Sequence, residues 1–236
     1  MKFAARILSE SLGELIAPTR CAGCERQGEL LCQECLAKLC QDYLNEQACP
    51  KCAGPYGALT CTECWEVTYH FEQVLALGIL DGPLARAVVL YKDANERRLA
   101  QLLGHLLAEC VQANWSNWSK TAEAVCWIPA STEAFRRRGF DHGKLLAIKV
   151  ADALELPCLG LLKRARARDQ RGLSRKERFE GAQNFSYAFS EQCSPPKKIL
   201  LIDDVFTTGA TVENATCALL AAGVQEVRIA ILGRTW

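Results

Sequence analysis

The pattern of hydrophobic and polar residues divides the chain into two parts. Residues 1–68 contain closely spaced cysteines and few long apolar stretches, whereas residues 69–236 alternate short apolar runs with longer segments in which apolar residues recur every three or four positions. The short runs predict β-strands, and the longer repeats predict amphipathic helices. Because strands and helices alternate, we expect an α/β domain with a doubly wound parallel sheet, preceded by a small separate module.

Five strands and three helical regions are predicted for residues 69–236. The strands are FEQVLALGIL (71–80), EAVCWIP (123–129), LPCLGLL (156–162), KKILLIDD (197–204) and VQEVRIAIL (224–232). The helical regions are 84–112, as one helix or two, 143–154 and 211–223, and a further amphipathic helix is predicted at 3–16. The run KKILLIDD shows no alternation of apolar and polar positions, which indicates a central strand that is covered on both faces.

Asp203 and Asp204 lie directly at the predicted end of that central strand. In doubly wound sheets, ligands bind beyond the carboxyl ends of the strands. The next residues, VFTTGAT, supply a glycine for a tight turn, three hydroxyl groups and the free N–H groups of a helix that begins near Thr211, which together can hold a phosphate. Two carboxylates beside a phosphate loop suggest a ligand such as ribose 5-phosphate, with vicinal hydroxyls near its phosphate. The alternative is that Asp203 caps the helix and Asp204 is solvated, which explains one acid but not the hydroxyl-rich loop.

Four Cys-x-x-Cys pairs occupy the first part of the chain. They are Cys21 and Cys24, Cys32 and Cys35, Cys49 and Cys52, and Cys61 and Cys64. Two such pairs can supply the four thiolates around one tetrahedral zinc ion, so the eight cysteines predict two structural zinc sites. The near-equal spacing favours sequential pairing, but crossed pairing stays open. Redox chemistry is disfavoured because the pairs lie outside any strand–helix context, and the acidic net charge of this part argues against phosphate contact.

The charge of the chain is nearly balanced, with 28 basic and 27 acidic residues, so composition argues against a general polyanion binder. One segment departs from this balance, because residues 163–178 hold eight basic residues and only two acidic ones. This segment is either a functional cationic loop or a solvated charged loop. Neither a secretory signal sequence nor a membrane span is predicted, which leads us to expect a cytoplasmic protein with reduced cysteines.

The stretch ILLIDDVFTTGAT, residues 199–211, resembles the phosphoribosyl-pyrophosphate (PRPP) signature of type I phosphoribosyltransferases, in which an acidic pair precedes Thr-Thr-Gly-x-Thr. Nearly the whole chain is similar to the ComF family of competence proteins, GntX-like members included, in which a double zinc ribbon is joined to such a domain. The similarity extends over WIPASTEAFRRRGFDH (127–142), RDQRGLSRKERFEGAQNF (168–185) and LGRT (232–235). The chain departs from the family pattern at Asp141-His142, where Asn-Gln is usual, and at Trp127 and Phe206. The first departure is expected to alter polar contacts near the pyrophosphate loop, and the others to change packing.

The resemblance implies a role for each part of the site. Asp203 and Asp204 would hold the ribose hydroxyls, and the 5′-phosphate would bind to Thr207, Thr208, Gly209, Ala210 and Thr211. Arg136 and Arg138 would bind pyrophosphate, and Arg166, Arg168 and Arg171 would belong to a mobile loop that closes over the site. Mg²⁺ would bridge ribose and pyrophosphate oxygens, and two Zn²⁺ ions would be structural.

The resemblance also implies a choice of functions. The protein would act in natural competence and DNA uptake, with the competence machinery as partner, or in nucleotide salvage as a phosphoribosyltransferase. Because few residues follow the last predicted strand, we expect no C-terminal hood over an acceptor base, and a hood would have to come from residues 65–95, near Tyr91 and Lys92. If that segment forms no base pocket, the domain binds PRPP without transferring its ribosyl group.

Non-catalytic binding of single-stranded DNA is the alternative from another functional class. The cations of residues 163–178 would contact the DNA backbone, and nearby aromatic side chains would stack on bases. Those side chains are Phe179, Phe185, Tyr187 and Phe189. We interpret them first as core residues of a strand.

Overall fold

A four-stranded parallel sheet forms the centre of the protein. A computed structural model describes residues 18–41, 48–54, 61–62, 64, 67–164, 187–190 and 194–235. The strands of its main sheet, in spatial order, are β1 (Gln73–Ile79), β6 (Glu226–Arg234), β5 (Lys198–Phe206) and β2 (Ala124–Trp127). A separate antiparallel pair consists of β3 (Leu162–Arg164) and β4 (Tyr187–Phe189).

Helices pack on both faces of the main sheet, which confirms the predicted doubly wound architecture. In the described residues they are α1 (Gln33–Gln41), α2 (Gly82–Lys92), α3 (Leu99–Asn114), α4 (Ser116–Ser119), α5 (Thr132–Arg138), α6 (His142–Leu154) and α7 (Ala210–Ala221). Within these same ranges, no helix combines the length and the apolar character that crossing a membrane requires. The predicted helix at 3–16 lies outside the described residues.

Burial of strand β5 on both faces explains why its sequence does not alternate apolar and polar residues. Leu200 and Ile202 belong to one hydrophobic core with helices α2, α3 and α6, while Ile199 and Leu201 belong to a second core with α7. All four side chains are fully buried. Successive side chains of a strand point to opposite faces, so a strand covered on both faces must be apolar at every position.

Two predicted elements differ in extent from the observed ones. The region 84–112 contains two helices, α2 and α3, which a turn at residues 93–98 separates. The predicted strand 156–162 pairs with β2 only through a bridge between Val125 and Cys158, and regular pairing begins again at Leu162 in β3. Pro157 has no N–H to donate and Gly160 has no side chain to pack, so the segment cannot support a longer ladder.

The cysteine module packs directly on the sheet domain. Cys21, Cys32 and Cys35 belong to the core on the α3 side, whereas Cys49, Cys52 and Cys61 belong to the core on the α7 side. Polar bonds reinforce both contacts, because the Arg86 guanidinium donates to the Gly23 carbonyl oxygen at 2.9 Å and the Arg234 side chain donates to the Cys52 carbonyl oxygen at 2.9 Å. The two halves of the module therefore cover opposite faces of the sheet.

Candidate functional site

The eight predicted zinc-ligand cysteines form two clusters with sequential pairing. The first cluster contains Cys21, Cys24, Cys32 and Cys35, and the second contains Cys49, Cys52, Cys61 and Cys64. Sulfur–sulfur distances of 3.6 Å, 3.9 Å and 3.4 Å join Cys24 to Cys32, Cys49 to Cys64 and Cys52 to Cys61. Four sulfurs about 2.3 Å from a tetrahedral zinc ion are separated by about 3.8 Å. Each cluster can therefore hold zinc, and the crossed pairing that the spacing left open does not occur.

Backbone N–H groups surround the first cluster and favour the thiolate that a metal requires. The Sγ atom of Cys21 accepts bonds from the N–H groups of Cys32 at 3.3 Å and Gly23 at 3.4 Å. Burial works against the charge of Cys21, but backbone donors led by the Cys32 N–H outweigh it and lower the pKa of this thiol to about 6.

A cavity of about 590 Å³ opens at the carboxyl edge of β5 and β2. Its volume falls within the range of about 300–1,000 Å³ that small-molecule sites occupy. Charged and hydroxyl side chains from several elements line it, namely Lys92, Asp93, Ser131, Arg137, Arg138, His142, Arg164, Tyr187, Asp203, Asp204, Thr207 and Thr211. A central strand, a phosphate-loop candidate and cationic helix ends thus meet at one opening, where ligands bind in sheets of this class.

Asp203 and Asp204 both line this cavity, but they lie inside β5 rather than after it. Asp203 is still in register with Ile231 of β6, and the strand continues to Phe206. Consecutive side chains of a strand point to opposite faces. The sequence-based expectation that both carboxylates emerge together beyond the strand end is therefore replaced by two carboxylates with different surroundings.

Asp204 contacts one lysine and one histidine on the α2 and α6 side of the sheet. Its Oδ2 atom lies 2.8 Å from the Lys92 Nζ atom and 2.6 Å from the His142 Nε2 atom. The side chain of Asp204 is only 7% exposed, and those of Lys92 and His142 are 22% and 12% exposed. The contact with His142 and the positive charge of Lys92 both favour the ionised form of the Asp204 carboxylate.

The contacts of His142 continue into the arginine-rich helix. The Arg138 Nη1 atom lies 3.1 Å from His142 Nδ1, and Arg138 Nη2 donates to the Asp93 carboxylate at 3.0 Å. Asp141 caps α6 by accepting from the Lys144 N–H at 3.1 Å, and its other oxygen accepts from the Ala130 N–H at 3.2 Å. The unusual Asp141-His142 pair thus has two uses: the aspartate fixes the loop after β2, and the histidine reaches Asp204.

The surroundings of the two aspartates shift their pKa values in opposite directions. Burial and the adjacent Asp204 carboxylate raise the pKa of Asp203, and the Asp204 N–H bond to Asp203 Oδ1 only partly compensates. Burial also opposes ionisation of Asp204, but the contact with His142 and the charge of Lys92 outweigh it and lower the pKa of Asp204. Near neutral pH, Asp204 carries the negative charge of the pair, and Asp203 is the aspartate that holds a proton.

The turn after β5 leads into helix α7 as an open helix start. Gly209 occupies the N-cap position with φ of 78°, and no side chain caps the helix there. A Cβ atom on Gly209 would lie 2.6 Å from the Phe206 ring and 3.0 Å from Tyr69, so only glycine fits. Thr207 and Thr211 line the cavity, whereas the exposed Thr208 and Ala210 lie outside its lining. N–H groups at such a helix start can bind an anion.

The arginines of α5 are divided between cavity and solvent. Arg138 is 11% exposed on its side chain and lines the cavity with the more exposed Arg137. Arg136 is exposed, and among the described residues it does not belong to the cavity lining. Arg166, Arg168 and Arg171 lie outside the described residues.

Three residues of the site were not predicted as site residues from the sequence. Lys92 ends α2, Arg164 ends β3, and His142 begins α6. The sequence signals for them were indirect: His142 belongs to the departure from the Asn-Gln pattern, Lys92 to the segment from which a hood would have to come, and Arg164 to the cationic segment 163–178. Their contacts depend on tertiary packing, which spacing along the chain does not reveal.

Comparisons with known proteins agree on a domain and on a group of relatives. Residues 141–234 match the family model described as "Phosphoribosyl transferase domain". "Competence protein F" of Haemophilus influenzae is 29% identical over 222 residues, which cover 91% of this chain and 90% of that protein. "Competence protein ComFC" of Streptococcus pneumoniae is 26% identical, with 84% of each chain covered. "DNA utilization protein YhgH" of Salmonella typhi is 28% identical, with 79% of this chain and 84% of that protein covered.

Two solved structures align with part of the chain at low similarity. The "structure of the allosteric regulatory enzyme of purine biosynthesis" aligns with a TM-score of 0.43 and 18% identity over 61% of this chain. The glutamine PRPP amidotransferase of B. subtilis complexed with ADP and GMP aligns with a TM-score of 0.39 and 22% identity over 56% of this chain. The chain spans under a third of the length of either enzyme, at 30% and 25%.

Proposed function

We propose that this chain, a homologue of the ComF competence proteins that carries a phosphoribosyl transferase domain, binds PRPP or a related ribose 5-phosphate. The observation that carries the proposal is the single cavity into which two adjacent carboxylates, the open start of α7 and Arg138 all face. Carboxylates suit hydroxyl donors, N–H groups suit a monophosphate, and an arginine fork suits a diphosphate. The hydroxyl and phosphate groups of such a ligand would therefore meet matching groups within one opening.

Mg²⁺ fits this site as an ion held chiefly by the ligand. Magnesium is commonly bound through one or two carboxylates together with substrate phosphates and water. Asp204 Oδ2 already faces Lys92 and His142, so Asp203 is the carboxylate available to assist the ion. When bound, Mg²⁺ would neutralise charge on the diphosphate oxygens, and the protein's own part would be to orient the hydroxyls and phosphates around it.

The two aspartates would have unequal tasks. Asp203, which is partly exposed to the cavity, would accept hydrogen bonds from a ribose hydroxyl once it loses its proton. Asp204 would hold the Lys92 ammonium group and the His142 ring in place, so that the positive charge of Lys92 faces the incoming phosphates. A cation fixed by a buried carboxylate needs little reorganisation when the anion arrives.

The chain would bind PRPP without transferring its ribosyl group to an acceptor base. Tyr91 is fully buried and its hydroxyl donates to the His142 carbonyl oxygen, and Lys92 is paired with Asp204. Neither is free to clamp an acceptor base, as a hood formed by this segment would require. A screen of nucleobases for pyrophosphate release tests the point, and base-dependent release that disappears in Asp203→Ala would establish a transferase instead.

Equilibrium dialysis with labelled PRPP, with and without Mg²⁺, tests the binding itself. We expect one Mg²⁺-dependent site per chain, with affinity at least about tenfold weaker in Arg138→Met because a charged hydrogen-bond donor is lost. Arg136→Met is the matched comparison, and it is expected to have the smaller effect because Arg136 is exposed outside the cavity lining. Undetectable binding at millimolar PRPP would contradict the proposal.

A role in the use of incoming DNA is the second candidate, because relatives of this chain are named for competence and DNA utilization. Exposed Lys163, half-buried Phe189 and Tyr187 border a second cavity of about 500 Å³ beside α7, but Tyr187 is only 3% exposed and contacts Arg164. Lys163 and Phe189 could offer charge and stacking, while buried Tyr187 could not. Single-stranded DNA binding that weakens steeply from 50 to 200 mM salt would support this role. Binding that does not depend on salt would contradict it.

We propose that the protein acts in the cytoplasm with both cysteine clusters zinc-loaded. The eight cysteines of the two clusters form no disulfides, as expected in a reducing compartment. Zinc analysis of the purified protein would check the loading, and cell fractionation would check the compartment.

A further inference from the structure

Three metal-ligating side chains meet outside both the cavity and the two cysteine clusters. The Cys217 Sγ atom lies 3.6 Å from His70 Nδ1 and 3.5 Å from Glu213 Oε1, and those nitrogen and oxygen atoms are in direct contact. Glu213 and Cys217 are four residues apart on α7 and therefore share one face of the helix. His70 comes from the segment that precedes β1, far away in the sequence.

The spacing of these atoms agrees with tetrahedral coordination. A zinc ion holds sulfur at about 2.3 Å and nitrogen or oxygen at about 2.0–2.2 Å, which places a sulfur ligand about 3.5 Å from its nitrogen or oxygen neighbours. The two distances from Cys217 already have this value. Only the contact between His70 and Glu213 would have to widen, and the His70 side chain, 54% exposed, has space to move.

Hydrogen bonds and ring stacking hold the backbone around His70 and orient the side chains of His70 and Glu213. The His70 N–H donates to Glu213 Oε2 at 3.0 Å, which leaves Oε1 directed towards the other two ligands. On one side, the Tyr69 hydroxyl donates to the Thr208 carbonyl oxygen at 3.1 Å. On the other, the Phe71 ring is fully buried and stacks on Tyr69 with centroids 4.8 Å apart.

We infer that His70, Glu213 and Cys217 form a third metal site, which binds Zn²⁺ through one nitrogen, one oxygen and one sulfur ligand. The mixed ligand set suits borderline cations such as Zn²⁺ and Co²⁺ rather than Mg²⁺ or Ca²⁺, which prefer oxygen ligands alone. The exposed side of His70 leaves the fourth position to water. The site differs from the two cysteine clusters, whose four thiolates leave no open position.

Metal at this site would fasten the segment that leads from the cysteine module into β1 onto helix α7. The ion would join residue 70 to the first two turns of α7, whose start forms the candidate phosphate loop. The bond from Tyr69 to Thr208 already connects the same two segments. The site would therefore hold the phosphate loop in place without contacting a ligand in the cavity, whose described lining excludes all three residues.

Metal stoichiometry of the full-length protein tests the inference. Wild type, His70→Ala and Cys217→Ser would be equilibrated with buffered free Zn²⁺ and analysed by native mass spectrometry. We expect three zinc ions in wild type and two in each variant, with the two tetrathiolate ions reporting that the variant is folded. Exposed His105→Ala and half-buried Cys158→Ser are the matched controls, and both should retain three ions.

Cobalt substitution gives a second, independent readout. A third Co²⁺ with one thiolate ligand should add about a quarter of the sulfur charge-transfer absorbance that each four-thiolate ion adds, since absorbance follows the number of Co–S bonds. This increment should disappear in Cys217→Ser and remain in Cys158→Ser. Wild type that holds only two zinc ions under excess Zn²⁺ would overturn the inference, as would a third ion that survives both His70→Ala and Cys217→Ser.

Discussion

The two cysteine clusters and the carboxylate cavity bring polar groups together in different ways. Each cluster takes its four sulfurs from one short stretch of chain, such as Cys21 to Cys35. In the cavity, Asp204 contacts Lys92 and His142. These three residues belong to three elements that lie far apart in the sequence. A metal site can therefore be encoded locally by the spacing of cysteines along the sequence. A charged site on a sheet forms only when distant elements pack together, and the pKa values of its residues depend on that packing.

Loss of zinc should have the largest effect on stability. The first cluster shares its hydrophobic core with α2, α3 and β5, so its collapse should disturb the sheet domain as well. Zinc coordination by small domains is coupled to folding by an apparent free energy of about 10 kcal/mol, and we expect Cys21→Ser to lose one zinc ion and much of the cooperative unfolding transition. Thermal unfolding with zinc analysis checks this, with Cys158→Ser as control. An unchanged transition in Cys21→Ser would show that the module does not support the sheet.

Replacing each aspartate with asparagine should change the free energy of unfolding by different amounts. Asp204→Asn leaves the partly buried Lys92 and His142 beside a neutral amide, and we expect a loss of about 2 kcal/mol in the free energy of unfolding. Asp203→Asn removes a carboxylate that the fold already disfavours in its charged form, so stability should stay equal or rise. Urea denaturation at pH 7 measures both. Equal destabilisation by the two substitutions would contradict the division of roles between them.

The turn between β5 and α7 should tolerate no side chain at Gly209. Gly209→Ala combines a positive φ of 78° with a contact of 2.6 Å to the Phe206 ring, and we expect a loss of about 2 kcal/mol. Gly28→Ala isolates the backbone part, because Gly28 also has positive φ but no atom within 4 Å of a new Cβ. Its loss should be about 1 kcal/mol. Similar losses for the two variants would show that packing around Gly209 is looser than described.

The smallest expected effect is a change of the free energy of unfolding with pH. The pKa of Asp203 is raised from 3.8 in the unfolded chain to about 8 in the folded protein. The contribution of protonated Asp203 to the free energy of unfolding is therefore complete below pH 4 and is lost as pH rises through 8. Allowing for its partial exposure, we expect wild type to lose roughly 1 kcal/mol between pH 6 and 8 relative to Asp203→Asn. Thermal melts across this range check it, and parallel curves for the two proteins would rule out a protonated Asp203.

The same comparison explains how much the sequence could predict. The unbroken apolar run before Asp203 predicted a central strand because covered strands must be apolar throughout, and the spacing from Cys21 to Cys64 predicted two four-cysteine clusters. The strand end was wrong by two residues, because pairing with β6 continues through Asp203 to Phe206. That error hid the opposite orientation of the two aspartates.

Contacts between distant elements could not be predicted from spacing. Lys92 and His142 each look like ordinary helix-end residues until α2 and α6 pack on the same face of β5. His70 likewise has no sequence pattern that links it to Glu213 and Cys217. These charges are brought together by the burial of neighbouring apolar residues, so they become visible only when the tertiary structure is known.

Calorimetric titration of PRPP with Mg²⁺ into wild type and Asp203→Asn tests the central claim most directly. Asp203 lines the cavity and its charged form is disfavoured by the fold, so we expect the substitution to preserve stability while removing a ligand contact. We predict one site per chain in wild type and an affinity at least about tenfold weaker in Asp203→Asn, because the amide cannot ionise when the ligand and Mg²⁺ bind and so supplies no charged acceptor. Equal affinity in the two proteins would contradict the assignment of this cavity as a ribose-phosphate site.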